Sequence, residues 1–201
     1  DVRDSFVSVK YNSIDDLPIG ATVGTSSLRR KAQLLAQRDD LNVIEFRGNV
    51  QTRLKKLELG VADATFLACA GLSRLGMKEL INPISIESML PAVAQGAIGI
   101  EQRTDNELIS DLLKPINDQN TETQLAAERS FLKVLDGSCR TPIGGYAEII
   151  GSKIKFFGEI LKPDGSQTYK DIWHGEISDA VQIGRDAGII LKEKGGDKFF
   201  K

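Results

Sequence analysis

Cysteine and arginine are the residue types through which this sequence could do chemistry. Cys139 lies in Leu135-Asp136-Gly137-Ser138-Cys139-Arg140-Thr141-Pro142-Ile143-Gly144-Gly145-Tyr146, one thiol among glycines and a proline. Glycine supplies backbone shapes that other residues resist, and proline fixes its own torsion, so this stretch predicts a shaped loop. A thiol on such a loop can reach a bound molecule. It can equally be a small apolar side chain packed against its neighbours, as most free cysteines are. Three other turns collect polar and basic residues: Thr25, Ser26, Ser27, Arg29 and Arg30; then Arg47, Gly48, Asn49 and Arg53; then Arg74. Hydroxyls and free N–H groups at a helix start favour an anion, and guanidinium forks add paired hydrogen bonds to carboxylate or phosphate. Five arginines on one rim require something negative and multivalent to offset their repulsion. Arg29, Arg47 and Arg74, in or just after turns, read as ligand residues. Arg30 and Arg53 fit ordinary helix-surface charges equally well.

These residues need a scaffold, and the apolar pattern supplies one. Residues 1–11 are polar with a short alternation at Phe6, Val7 and Val9, an extended lead-in. Residues 21–24 read as the end of a strand, and Thr25-Ser26-Ser27 caps a helix buried through Leu28, Leu34 and Leu35. A second strand at 42–46 runs through Arg47-Gly48-Asn49 into a helix carrying Leu54 and Leu57, with Gly60 as its stop. A third strand covers 62–68. Strand, polar turn and helix in repetition predict a parallel-rich sheet wrapped by helices, whose ligands bind beyond the carboxyl ends of the strands. Residues 90–96 read as a hinge, 97–101 as a short strand and 106–113 as a helix. Thr121-x-x-Gln124 is a capping box for a helix bearing Leu125, Phe131 and Leu132. Strands at 146–150, 153–160 and 167–173 follow, with a turn at Pro163-Asp164-Gly165, and Ser178 opens a last helix. The back third is therefore a separate α+β domain with a three-stranded antiparallel sheet.

Bulk properties narrow the classes. A length of 201 residues suits one large domain or two small ones. The net charge of −2 gives a general nucleic-acid role no electrostatic support. No apolar run is long enough for a membrane span. Two cysteines and one histidine, His174, give neither a zinc spacing nor a disulfide framework, which suits a reducing cytoplasm. No Gly-x-x-x-x-Gly-Lys loop marks a nucleoside triphosphate site. Cys69, at the end of an apolar run, reads as buried packing. On these grounds alone the chain could be an enzyme or a small-anion binding module without chemistry.

Five motifs occur in order: Gly24-Thr25-Ser26-Ser27-Leu28-Arg29-Arg30; Arg47-Gly48-Asn49-Val50-x-Thr52-Arg53-Leu54; Ala70-Gly71-Leu72-x-Arg74-Leu75; Leu90-Pro91-Ala92-x-x-Gln95-Gly96-Ala97; and Gly137-x-Cys139-x-x-Pro142-Ile143-Gly144. Together, over nearly the whole chain, they resemble the hydroxymethylbilane synthase (porphobilinogen deaminase) family. The resemblance implies three domains, two of them like the lobes of type II periplasmic binding proteins and the third carrying the cysteine. It implies a dipyrromethane cofactor held by Cys139 through a thioether. It also implies a heme-pathway transferase that condenses four porphobilinogen molecules head to tail, with loss of ammonia, to 1-hydroxymethylbilane. By this resemblance Ser26, Ser27, Arg29, Arg30, Arg47 and Gly48 contact the cofactor. Thr25, Arg53, Arg74 and Gln95 contact substrate. The partners implied are porphobilinogen and oligopyrrole intermediates, with no nucleic acid or membrane, and the protein is expected to be a monomer.

Acetate and propionate groups make a growing oligopyrrole a polyanion, which agrees with the arginine-rich turns. The reaction also needs a carboxylate to manage pyrrole N–H and cationic charge. In the family that aspartate lies in the first domain, and no Asp of this sequence matches its motif. The chain starts at Asp1, and the expectation is that most of a first domain is absent. Residues 1–91 are then domain 2, 92–117 the hinge and return segment of domain 1, and 118–201 domain 3. Such a fragment is expected to be inactive alone.

Overall fold

The computed structural model describes residues 1–137, 141–196 and 199–200. The front domain is a four-stranded sheet built from β1 (Asp4–Ser8), β2 (Thr22–Gly24), β3 (Asn42–Ile44) and β4 (Ala64–Ala68) in the order β1-β4-β2-β3. β2 runs parallel to both β3 and β4. β1 runs antiparallel to β4, pairing Phe6 with Phe66, so the sheet is mixed rather than wholly parallel. Alternation along the strands sends side chains to both faces. Phe6, Val23 and Phe66 pack on one face with Leu34 of helix α1 (Leu28–Gln37). Val7 and Leu67 pack on the other with Leu57 of α2 (Val50–Glu58) and Leu72 of α3 (Cys69–Arg74). Helices on both faces bury the central strands, which explains their apolar runs.

After β4 the chain crosses toward the second domain. Residues 97–101, expected as a strand, form none, because no strand among the described residues offers them a ladder; Ile98 and Ile100 stay exposed. Helix α4 (Glu107–Leu113) follows as expected, capped by the Asn106 side chain on the Ile109 N–H at 3.1 Å. Helix α5 (Gln119–Val134) begins earlier than the Thr121 box implies. Asp118 is its cap, accepting from the Thr121 N–H at 2.7 Å, and a carboxylate on this terminus also meets the helix dipole.

The second domain is an antiparallel sheet of β5 (Ile143–Ile150), β6 (Lys153–Leu161) and β7 (Thr168–Glu176) in sequential order. One face carries Ala147, Ile154, Phe156 and Ile160 against α5 and α6 (Ala180–Gly195). Ser178 lies in a 3-10 turn just before α6 rather than at its cap. The helices approach until a side chain at Gly184 would run into the Ala127 carbonyl. No helix is long and apolar enough, among the described residues, to cross a membrane.

The two domains meet at α1 and at the segment that joins them. The β6–β7 turn meets the back half of α1, where a methyl at Gly165 would lie 2.6 Å from the Ala36 nitrogen. Gly165 has φ +75°, which glycine adopts without strain. Nearby, the Gly145 N–H donates to the Pro91 carbonyl at 3.0 Å.

Candidate functional site

The carboxyl ends of β2 and β3 open onto the starts of α1 and α2, the place predicted for a ligand in a sheet of this kind. Ser27 caps α1, accepting from the Arg30 N–H at 3.4 Å, and Thr25 Oγ1 accepts from the Ser27 N–H at 3.2 Å. Ser26 is exposed, and its hydroxyl accepts from the Phe46 N–H at 3.2 Å, tying the two turns together. Asn49 caps α2 through the Thr52 N–H at 2.9 Å. Gly48 holds φ +128°, and a methyl there would meet the Thr52 side chain at 2.7 Å, so the turn depends on glycine.

The expectation of five arginines on one rim is corrected by the fold. Arg29 and Arg30 point inward and are buried on the carboxylate of Asp4, itself fully buried. Arg29 Nη2 donates to Asp4 Oδ2 at 2.8 Å, and Arg30 donates through Nε at 3.0 Å and Nη2 at 2.6 Å to Oδ1. Arg30 Nη1 also reaches the Phe66 carbonyl at 2.9 Å. Gln95 joins the cluster, accepting from Arg29 at 3.3 Å and donating to Asp4 at 3.0 Å. Burial alone would raise the Asp4 carboxyl, but the charges and hydrogen bonds of Arg29 and Arg30 outweigh it and hold it below the usual carboxylate range. Burial likewise lowers Arg29, against the pull of Asp4. Arg29 Nε is buried without a hydrogen-bond partner.

The other three arginines face outward. The Arg47 side chain is 80% exposed and pairs with Glu45 at 2.7 Å, a surface contact of small energetic weight. Arg74 is exposed in the last turn of α3. Arg53 is half-buried, and its Nε donates to the Gly48 carbonyl at 2.9 Å. Burial, and after it the like charge of Arg30, push its pKa down. Lys56, which donates to the Arg47 carbonyl at 2.9 Å and lies over the Phe46 ring, adds a cation that sequence reasoning missed. Asp4 was missed as well. Its place two residues before Phe6, on the same face of β1, is the only signal that it turns inward.

Cys139 lies outside the described residues. Cys69 opens α3 and is 1% exposed; burial pushes its thiol pKa up, the reverse of an activated nucleophile. Burial as packing therefore matches the sequence reading of Cys69.

The comparisons with known proteins follow the same division into two domains. Residues 1–111 match the family described as porphobilinogen deaminase, dipyromethane cofactor binding domain, and residues 123–193 match porphobilinogen deaminase, C-terminal domain. Curated proteins named porphobilinogen deaminase from Nitrobacter winogradskyi, Nitrobacter hamburgensis and Paracoccus denitrificans are each 52% identical over all 201 residues. The chain spans 64% of the length of each of these relatives. With over half of its residues inside the first match, and both domains of the fold accounted for, this chain belongs to the porphobilinogen deaminase family.

Proposed function

We propose that this chain is the arginine-bearing and cysteine-bearing part of a hydroxymethylbilane synthase, which joins four porphobilinogen molecules head to tail with loss of ammonia. The observation that carries the reading is the group of cations Arg47, Arg53 and Lys56 around the start of α2, where Arg53 donates to the Gly48 carbonyl and Lys56 to the Arg47 carbonyl. Such a set fits the acetates and propionates of pyrrole units. It fits a dipyrromethane for the same reason, since that group is a short chain of the same acids. When bound, dipyrromethane supplies the pyrrole carbon onto which units are added. The protein's share is to grip side-chain acids with guanidinium forks, which fixes register and neutralises charge. The hydroxyls and helix starts at Ser26, Ser27 and Asn49 add donors of the same polarity.

The thiol of Cys139 is the attachment point in this proposal. Arg29, Arg30 and Gln95 position the lobe from inside, as does Thr25, which is buried under its turn rather than open to substrate, while Arg47, Gly48, Arg53 and Arg74 form its outer side. Residues 1–91 act as a lobe of periplasmic-binding-protein type, 92–117 as the connecting segment and 118–201 as the domain bearing the cysteine, in a cytoplasmic monomer. A carboxylate for proton handling is not identified among these 201 residues, and the proposal includes that they do not complete turnover alone. Intact-mass and peptide mass spectrometry of the full-length protein tests the reading. Two pyrrole rings on the peptide containing Cys139, with bilane formed from porphobilinogen, is the expected result. A free thiol and no bilane would leave a binding module.

A further inference from the structure

The two domains meet over a buried polar pair that the chemistry above does not use. Glu159 lies on the outer face of β6 with Phe157 and Leu161, opposite the face that holds the core, yet it is only 8% exposed because α1 covers it. The Gln33 side-chain amide on α1 donates to the Glu159 carboxylate. The same amide donates to the Leu90 carbonyl at 3.1 Å, and Gln33 Oε1 accepts from Arg29 Nη1 at 3.1 Å. Arg29 in turn holds Asp4 and the Leu90 carbonyl. One unbroken chain of hydrogen bonds therefore runs from β1 through α1 to β6, that is, from the arginine cluster into the domain whose sequence carries Cys139. Open space adjoins the joint. Two neighbouring cavities of about 410 and 390 Å³ share Glu87, Leu90, Glu159 and Lys170 as walls, and the Gly165 and Gly145 contacts with α1 and Pro91 complete the joint.

We propose that Gln33 and Glu159 are positioning residues that fix where the cysteine-bearing domain sits relative to Arg29. The inference rests on the proposed bilane synthesis for its kinetic consequence but not for its structural one. Neutral Gln33 suits the place because it donates to Glu159 and accepts from Arg29 at once. A second acid at position 33 keeps the Arg29 contact but sets two carboxylates against each other across the joint. Lys170, paired with Glu159 across the strands, and Glu87, Asp171 and Arg29 are the other charged groups around this site.

The test is a rescue cycle in the full-length protein with Gln33→Glu, Glu159→Gln and the double variant. Hydrogen–deuterium exchange over 88–95 and 157–161 is expected to speed at least fivefold in Gln33→Glu. Over 157–161 it is expected to return within twofold of the parent in the double variant, where the carboxylate introduced at position 33 faces an amide donor at position 159; 88–95 recovers only in part, because that carboxylate has no N–H for the Leu90 carbonyl. Bilane kcat is expected to fall at least tenfold in Gln33→Glu with KM for porphobilinogen within threefold, and the double variant is expected to recover kcat to within threefold. A double variant no better than Gln33→Glu in exchange overturns the joint, whether or not bilane is made. Restored exchange without restored kcat, in a parent that makes bilane, overturns the positioning role. A parent that makes no bilane but shows the exchange cycle defeats only the proposed function.

Discussion

Asp4 Oδ1 accepts from Arg30 Nη2 at 2.6 Å with both side chains nine-tenths or more out of water, so each faces its counterion directly rather than through solvent. Asp4 is shared with Arg29, and removing the acid leaves two buried guanidinium groups without their shared counterion. Asp4→Asn is therefore expected to cost about 3–5 kcal/mol, the range for breaking a buried ion pair from one side. Denaturant unfolding of the purified variant measures it. A loss under about 1 kcal/mol would show that the cluster is not closed in solution.

Arg47 poses the opposite case. Its side chain is largely in water, so Arg47→Leu is expected to change stability by less than about 0.5 kcal/mol. If it grips a ligand carboxylate, losing that charge-assisted bond weakens chain elongation or cofactor assembly about 10–100-fold. Rates at low porphobilinogen, beside a thermal melt, separate the two quantities. Full activity in the variant would remove Arg47 from the site.

The two cysteines are expected to differ. Cys139→Ser abolishes attachment of pyrrole mass. Cys69→Ser retains it, but placing a hydroxyl in a site 1% exposed costs about 1–3 kcal/mol. Mass spectrometry reads the first effect and chemical denaturation the second. Pyrrole mass surviving in Cys139→Ser would end the proposed role of that thiol.

Glu128 of α5 makes a pH prediction. Its carboxylate accepts from the N–H of Ala94 at 2.7 Å and of Ala147 at 3.0 Å, joining the segment between the domains to β5. Burial outweighs these donors and raises its pKa from 4.5 to about 7. Between those values the unfolded chain has released the proton and the folded chain retains it. The stability linked to this group is thus fully present below pH 4.5 and falls as pH rises toward 7, by about 3 kcal/mol over the window. Asp4, shifted the other way, loses its contribution only below this window. Glu128→Gln is expected to flatten that part of the fall when unfolding is measured from pH 4.5 to 7.5. An unchanged slope would assign the fall to another group.

Much of the scaffold was legible in the sequence because local signals and tertiary packing agree. Ser27 and Asn49 stand where caps are needed, and the polar turns after β2 and β3 occur where strand apolarity stops. The back sheet was equally clear from its turns, although β7 runs on through His174 to Glu176 because β6 extends far enough to pair it. Legibility failed where the deciding partner is distant in sequence. Nothing near Asp4 reveals that Arg29 and Arg30 come to meet it, so they read as rim charges rather than as an internal clamp. Residues 97–101 look like a strand by composition, but a strand needs a neighbour. Glu159, on the face of β6 away from that domain's core, carries no signal in the sequence, because only the docking of α1 buries it.

The contact at Gly165 has a mechanical consequence. Main chain abuts main chain there, so no side chain can flex to let the surfaces glide past each other. A side chain added at Gly165 would be driven into the backbone of α1 at Ala32, Leu35 and Ala36, with nothing there able to swing aside for it. Even alanine there must lift the β6–β7 turn off the helix, so this one glycine sets how closely the two halves can sit.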